Sequence, residues 1–229
     1  MTSERDFFSG NNWMRIVAGL RNGSRANVAI EGVPPGDEAE IIRRLRLRLA
    51  GVDVLHCPLA ELVADDSENF SRRLQESIIA LFQDGCEGDG QLIRKVEELG
   101  LGGLSGFKFV LPRLCSQRNV SPVLVLSGYD SLLALDAKQR ALVTGGLFFE
   151  FVEDVAGMYR FSVILTSAVP VNWVEFDTSP YASVLYQRMT SYRYSEPDVS
   201  IREHVLERMP EADRDRMRTW LQSPLGRLS

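Results

Sequence analysis

Gly32 and Gly36 enclose Val33-Pro34-Pro35 and are followed directly by Asp37 and Glu38. An apolar run, Asn27-Val-Ala-Ile30, precedes them, and a helical pattern follows. A buried strand, a glycine turn and a helix start can cradle phosphate, because glycine allows the tight turn and the first helical N–H groups face the anion. The chemistry of such a cradle needs more: the form G-x-x-x-x-G-K-[ST] supplies a Lys for the outer phosphates and a hydroxyl for magnesium. Here the glycine spacing is one residue short, and two carboxylates stand where the Lys and hydroxyl belong.

Magnitudes decide what that exchange means. A charge-assisted contact to phosphate is worth about 1.5–3 kcal/mol. A carboxylate about 4 Å from a phosphate charge is repelled by up to about 4 kcal/mol at an effective dielectric of about 20. Losing the first and gaining the second weakens triphosphate binding by orders of magnitude. Asp37, Glu38 and Glu40 read instead as acidic first-turn residues that complement a helix N-terminus, with Asp37 as its cap.

A second chemical group lies farther on. Val123-Leu-Val-Leu-Ser-Gly-Tyr-Asp130 is an apolar strand that opens onto Ser127, Gly128 and Asp130, and Phe161-Ser-Val-Ile-Leu-Thr-Ser-Ala168 is another that ends in hydroxyls, Thr166 among them. In parallel sheets such strand exits form the ligand-binding edge.

The elements that position these residues follow from periodicity. Trp13 to Leu20 predicts a helix entered through Asn11-Asn12, with Phe7, Phe8 and Trp13 as aromatic anchors for a partner or for the domain itself. Residues 37–50 predict a helix whose Ile41, Leu45 and Leu49 face inward. Its Arg43, Arg44, Arg46 and Arg48 form either a solvated face or a contact for nucleic acid or an acidic protein surface. Gly51 leads into a second strand ending at Cys57, which is the βαβ signature of a parallel sheet. Further helices are expected at 59–63, 70–82, 92–99, 109–118, 138–155, 181–188, 201–209 and 212–221, and an edge strand at 189–194. Trp220 sits on the last amphipathic helix as a further partner-binding candidate.

Composition narrows the functional classes. The chain has 229 residues, 45% of them hydrophobic, enough for one α/β domain with a short helical tail. No run reaches the roughly 18 apolar residues of a membrane span, and the N-terminus lacks the regions of a signal peptide, so a cytoplasmic protein without membrane contact is expected. Cys57, Cys86 and Cys115 are too few and too scattered for a disulfide framework or a metal knuckle, and no metal site is expected. A net charge of −5 and a pI near 5.2 give no global attraction to nucleic acid, so any such contact must be local.

Val28-Ala-Ile-Glu-Gly-Val-Pro-Pro-Gly36, the strand ending in Ser127-Gly128-Tyr-Asp130, and Val163-Ile-Leu-Thr-Ser167 together resemble the Walker A, Walker B and sensor-1 segments of P-loop ATPases of the AAA+ and STAND type. The similarity runs over about residues 26–194. It implies an α/β fold, a P-loop-NTPase-like three-layer α/β/α sandwich with a mainly parallel sheet of about five strands. The expected division is an N-terminal helical segment (1–25), the ATPase-like domain (26–196) and a C-terminal helical tail (197–229). Ser127 and Gly128 stand where the family has its magnesium-organising Asp and water-activating Glu, so Gly32, Gly36, Asp37, Glu38, Ser127, Gly128, Asp130 and Thr166 mark a degenerate nucleotide site with no catalytic residue. Arg160 is an arginine-finger candidate by placement alone.

The resemblance implies a non-hydrolysing module that acts as an adaptor or structural subunit of a multiprotein bacterial assembly, in DNA transactions or antiphage defence, with no cofactor and with ATP and magnesium disfavoured. Its expected partner is another protein subunit. Nucleic acid is reached through that partner or through the arginine helix, and a homo-oligomer is compatible with the family. The alternative reading is an ATP-binding or ATP-hydrolysing subunit with an atypical phosphate loop. A second alternative is an unrelated α/β enzyme with Ser127 as nucleophile and His204 reaching back to it.

Overall fold

The computed structural model describes residues 4–21, 26–65, 69–83, 121–144, 161–174, 189–195 and 199–222. The expected helices at 92–99, 109–118 and 181–188, most of the one at 138–155, and Arg160 lie outside these residues.

Five strands form one sheet in the order β2-β3-β4-β1-β5: β1 (Asn27–Glu31), β2 (Val54–Pro58), β3 (Val123–Ser127), β4 (Ser162–Ser167) and β5 (Thr190–Arg193). Every pairing is parallel, so all five carboxyl ends share one edge. The register aligns Ile30 with Thr166 and Glu31 with Ser167, which carries the loop after β1 alongside the exit of β4. The three central strands β3, β4 and β1 are buried almost throughout, as in a sheet covered on both faces.

Alternation along each strand divides the core into two. Val28 and Ile30 of β1, Val123 and Val125 of β3, and Ile164 of β4 point to one face, packed under α1 (Glu4–Ser9), α2 (Asn11–Arg21) and α3 (Glu38–Arg48). Ala29, Leu124, Leu126, Val163 and Leu165 point to the other. That second face is covered by α4 (Leu59–Asp65), α5 (Phe70–Gln83) and a 3-10 helix, Tyr129–Ala134. The result is a three-layer α/β/α sandwich, as the family resemblance implied.

α6 (Ala137–Leu142) and α7 (Val171–Val174) complete the second layer together with α8 (Val199–Arg208) and α9 (Glu211–Gln222). The C-terminal helices share the main core: Val205, Met209 and Met217 are buried in the same cluster as the sheet, and Trp220 is half-buried against it. A buried ion pair ties them down, with Arg140 Nη2 3.2 Å from Asp213 Oδ2 and both residues buried. Arg140 also donates to the carbonyls of Leu133 and Leu135.

Of the two readings of the N-terminal aromatics, a partner anchor and an anchor for the domain itself, the partner anchor needs correcting. Phe7, Phe8 and Trp13 are buried and stack on one another and on Tyr194, with ring centroids 5.0–6.0 Å apart. The physical reason is geometric: Tyr194, just past the edge strand β5, brings an aromatic surface that closes the first core over the helices, and burial of such rings outweighs their exposure to a partner.

Asp213→Ala should leave the Arg140 guanidinium charged and buried without its counter-ion, lowering stability by about 3 kcal/mol in urea unfolding.

Candidate functional site

At the end of β1 the chain turns through Gly32 with φ +75°. A Cβ there would lie 1.9 Å from the carbonyl oxygen of Ser195, so only glycine fits beneath the strand exit of β5. The Ser195 hydroxyl donates to the Gly32 carbonyl, the Tyr194 N–H donates to the Glu31 carbonyl, and the Val33 N–H donates to the Ser167 carbonyl. The loop is therefore sewn to both neighbouring strands. Gly36, with φ +100°, is exposed and faces open space.

Asp37 does not cap α3. It has helical backbone angles and makes no side-chain capping bond, and its carboxylate instead accepts from the Tyr194 hydroxyl at 3.1 Å. The turn Asp37 N–H to Pro34 carbonyl brings the helix in directly, so the expected cap is replaced by a tether to the aromatic cluster.

Glu38 points across the strand exits. Its Oε1 is 3.7 Å from the position a Gly128 side chain would take, and Asp37 and Asp130 are close enough to act on its charge. Burial first, then the charges of Asp130 and Asp37, push its carboxyl up to about 7. Thus Glu38, Gly128 and Asp130, distant in sequence, lie close together, and what they make is a negative cluster at the helix N-terminus.

The remaining polar groups of the site are engaged internally. The Gly128 N–H, in a left-handed turn at φ +69°, donates to Thr166 Oγ1 at 3.4 Å, and Asp130 accepts the Ala168 N–H at 2.9 Å. Thr166 is fully buried. Asp130 and Thr166 thus hold the exits of β3 and β4 together.

Ser127 has a partner that sequence reading passed over. Its Oγ lies 2.8 Å from Nε2 of His56, on the neighbouring strand β2. Burial and the nearby Arg46 push the His56 pKa down, against the opposing pull of Glu61. Ser127 is only 4% exposed, which keeps substrates from a would-be nucleophile. His204, expected to reach Ser127, has a side chain outside the described residues. Beside His56 a cavity of about 490 Å³ is lined by Glu61, Leu62, Ser77, Ala80 and Leu81. The Cys57 thiol in its wall is pushed up to about 12 by burial and is unreactive.

Glu31 was also missed. It is 6% exposed at the end of β1, where its Oε1 accepts the Val171 N–H at 2.9 Å, and burial raises its carboxyl. Its only sequence signal is a carboxylate ending an apolar run.

On α3, Arg43 and Arg44 both bind Glu40, at 2.6 Å and 2.5 Å, and hold its carboxyl down at about 2. Arg44 also lies 4.1 Å over the Phe8 ring. Among the described residues no group of His, Cys, Asp and Glu has metal-binding geometry, and no helix is long and apolar enough to cross a membrane.

A parallel sheet whose first strand leads through a glycine loop into a helix N-terminus is the P-loop-NTPase-like architecture that the sequence resemblance implies. No protein-family model and no curated protein matches the chain. Among solved structures it is similar to the Aeropyrum pernix Orc1 protein in complex with DNA, at 13% identity and a TM-score of 0.49 over 85% of this chain. The chain spans about half of that protein, 47% of its length. The fold assignment rests on the sheet and its register.

Two substitutions test the site. Gly32→Ala should lower stability by about 3 kcal/mol or more, since the clash is with backbone, measured as a fall in the urea midpoint. For Glu38 the sign is set by a raised folded-state pKa: its contribution is full below pH about 4.5 and lost as pH rises through about 7. Glu38→Gln should therefore stabilise the protein at pH 8 by on the order of 2 kcal/mol, with solvent exposure discounted, and flatten the stability profile between those limits.

Proposed function

We propose that the chain is a non-hydrolysing AAA+/STAND-like module that serves as an adaptor or structural subunit of a larger bacterial assembly, in a setting such as DNA transactions or antiphage defence. The observation that carries this reading is the position of Glu38: its carboxyl crosses from the helix N-terminus to Gly128, into the space where the resemblance expects phosphate and metal. Three carboxylates, Asp37, Glu38 and Asp130, repel a triphosphate there. Phosphoryl transfer works by positioning and electrostatic stabilisation of growing negative charge, and this site offers the opposite field.

The internal engagement of Asp130 and Thr166 supports the same reading. A group whose hydrogen bonds hold two strand exits together is not available to organise a metal ion or a water. A protein subunit is the partner this reading requires, and ATP and magnesium have no role in it.

Calorimetric titration of the full chain with ATP and magnesium, paired with thermal melting, tests the proposal. A ligand that binds only the folded state stabilises it by about 2.7 kcal/mol at a hundredfold excess over Kd. The expected result is neither heat nor shift at millimolar ATP. Micromolar binding overturns the proposal in favour of an ATP-binding subunit with an atypical phosphate loop.

A further inference from the structure

We propose that the outer edge of β2 takes up an extended segment of a partner protein as an added strand, and that the segment alternates aliphatic and acidic side chains. β2 ends the strand order, so one side of it pairs with β3 and the other meets no strand among the described residues. The Val123 N–H donates to the Asp53 carbonyl. The alternation of the ladder therefore turns the main-chain groups of Asp53, Leu55 and Cys57 toward β3 and those of Val54 and His56 outward. On that outer side Arg46 Nη2 lies 3.5 Å from the Val54 carbonyl, at the limit of a hydrogen bond, and no described residue bonds the His56 N–H or carbonyl. Leu55, His56 and Pro58 are half-buried, whereas every residue of β3 is buried. A row of open N–H and carbonyl groups is a template for another backbone.

The flanks of this edge select the segment. Successive side chains of an added strand point to opposite faces of the sheet, and a hollow opens on each face. Toward α5 the cavity of about 490 Å³ has Leu62, Ala80 and Leu81 in its wall, with exposed Glu61 beside them. Toward α3 a hollow of about 390 Å³ is lined by Ile42, Arg43, Arg46 and Leu47. Arg43 is held by Glu40, whereas Arg46 makes no ion pair among the described residues. An aliphatic side chain fits the first hollow, where Glu61 repels a carboxylate. A carboxylate on the next residue meets Arg46 in the second.

A second copy of the chain fits less well. The two-fold axis that pairs two β2 edges in antiparallel runs through the sheet and sets like faces together, so Arg43 and Arg46 of both copies would share one flank. A strand partner rests on the adaptor reading and gives its protein subunit a chemistry.

The test is fluorescence anisotropy of the full chain with a labelled peptide of about six residues that alternates valine and aspartate. Saturable binding is expected. A peptide of the same composition, with its valines and aspartates in two blocks, should bind at least about tenfold more weakly. N-methylation of one alternate set of peptide amides should abolish binding and of the other set leave it intact, because an added strand turns only every second N–H to β2. Amide exchange at Val54 and His56 should slow at least about tenfold when the peptide binds. Ala80→Trp, which fills the α5 hollow, and Arg46→Glu should each weaken binding at least about tenfold with an unchanged melting temperature. Arg218→Gln, on α9, should bind as the parent does. No binding at millimolar peptide, equal binding of the two-block peptide, or an equal effect of both methylated sets overturns the proposal. A dimer seen in sedimentation and dispersed by Ala80→Trp assigns the edge to a second copy and also overturns it. ATP binding is read separately, so a peptide that does not bind, beside ATP that gives no heat, strikes the β2 edge and leaves the adaptor reading standing.

Discussion

The contact on which the site depends is between two backbones: the Ser195 carbonyl oxygen occupies the space that a side chain at residue 32 would fill. Because that space is taken, the chain leaves β1 through a left-handed glycine and stays pressed against β5. From this approach follow the Tyr194 N–H bond to Glu31, the reach of the Tyr194 hydroxyl to Asp37, and the aromatic stack that closes the first core. A loop held this closely on both sides enters α3 without a capping side chain.

Where the loop delivers α3, it delivers carboxylates. A helix N-terminus attracts anions, and in a phosphate-binding protein the anion arrives as ligand. Here Glu38 belongs to the chain itself, and it stands across from Gly128 and near Asp130. Its own ionisation is opposed by burial and by its neighbours, which is why its carboxyl is raised to about 7 although the helix end would lower it. Desolvation and like charge outweigh the helix field because the latter is worth at most about 1 kcal/mol near a surface. The site resembles a nucleotide pocket in the placement of its elements and opposes nucleotide in its charge.

Charge is distributed unevenly over the rest of the molecule. The strand exits gather carboxylates, while the layer of α2 and α3 carries arginines beyond what its own acids neutralise. The opposite layer uses charge internally: Arg140 and Asp213 are buried together and bind the C-terminal helices to the main core. The same residue type thus has two roles. Buried Arg140 holds helices in place through Asp213 and the carbonyls of Leu133 and Leu135, whereas the arginines of α3 lie at the surface, where Arg43 and Arg44 pair with Glu40.

The apolar runs at residues 28–30, 123–126 and 163–165, with the strand that follows the first helix through Gly51, pointed to a parallel α/β sheet, and the resemblance to P-loop ATPases implied its three layers. The missing Lys, Asp and Glu were likewise legible, because residue identity is all that a charge needs. Tertiary structure decided what those positions do instead. Asp37 read as a cap and became the acceptor of a tyrosine hydroxyl, because Tyr194 arrives from 157 residues away. Ser127 meets His56 across 71 residues, and Phe7, Phe8 and Trp13 are core and not surface, because strand order and layer packing bring those partners together. Such pairings depend on which strands are neighbours, and neither spacing nor propensity along the chain contains that information.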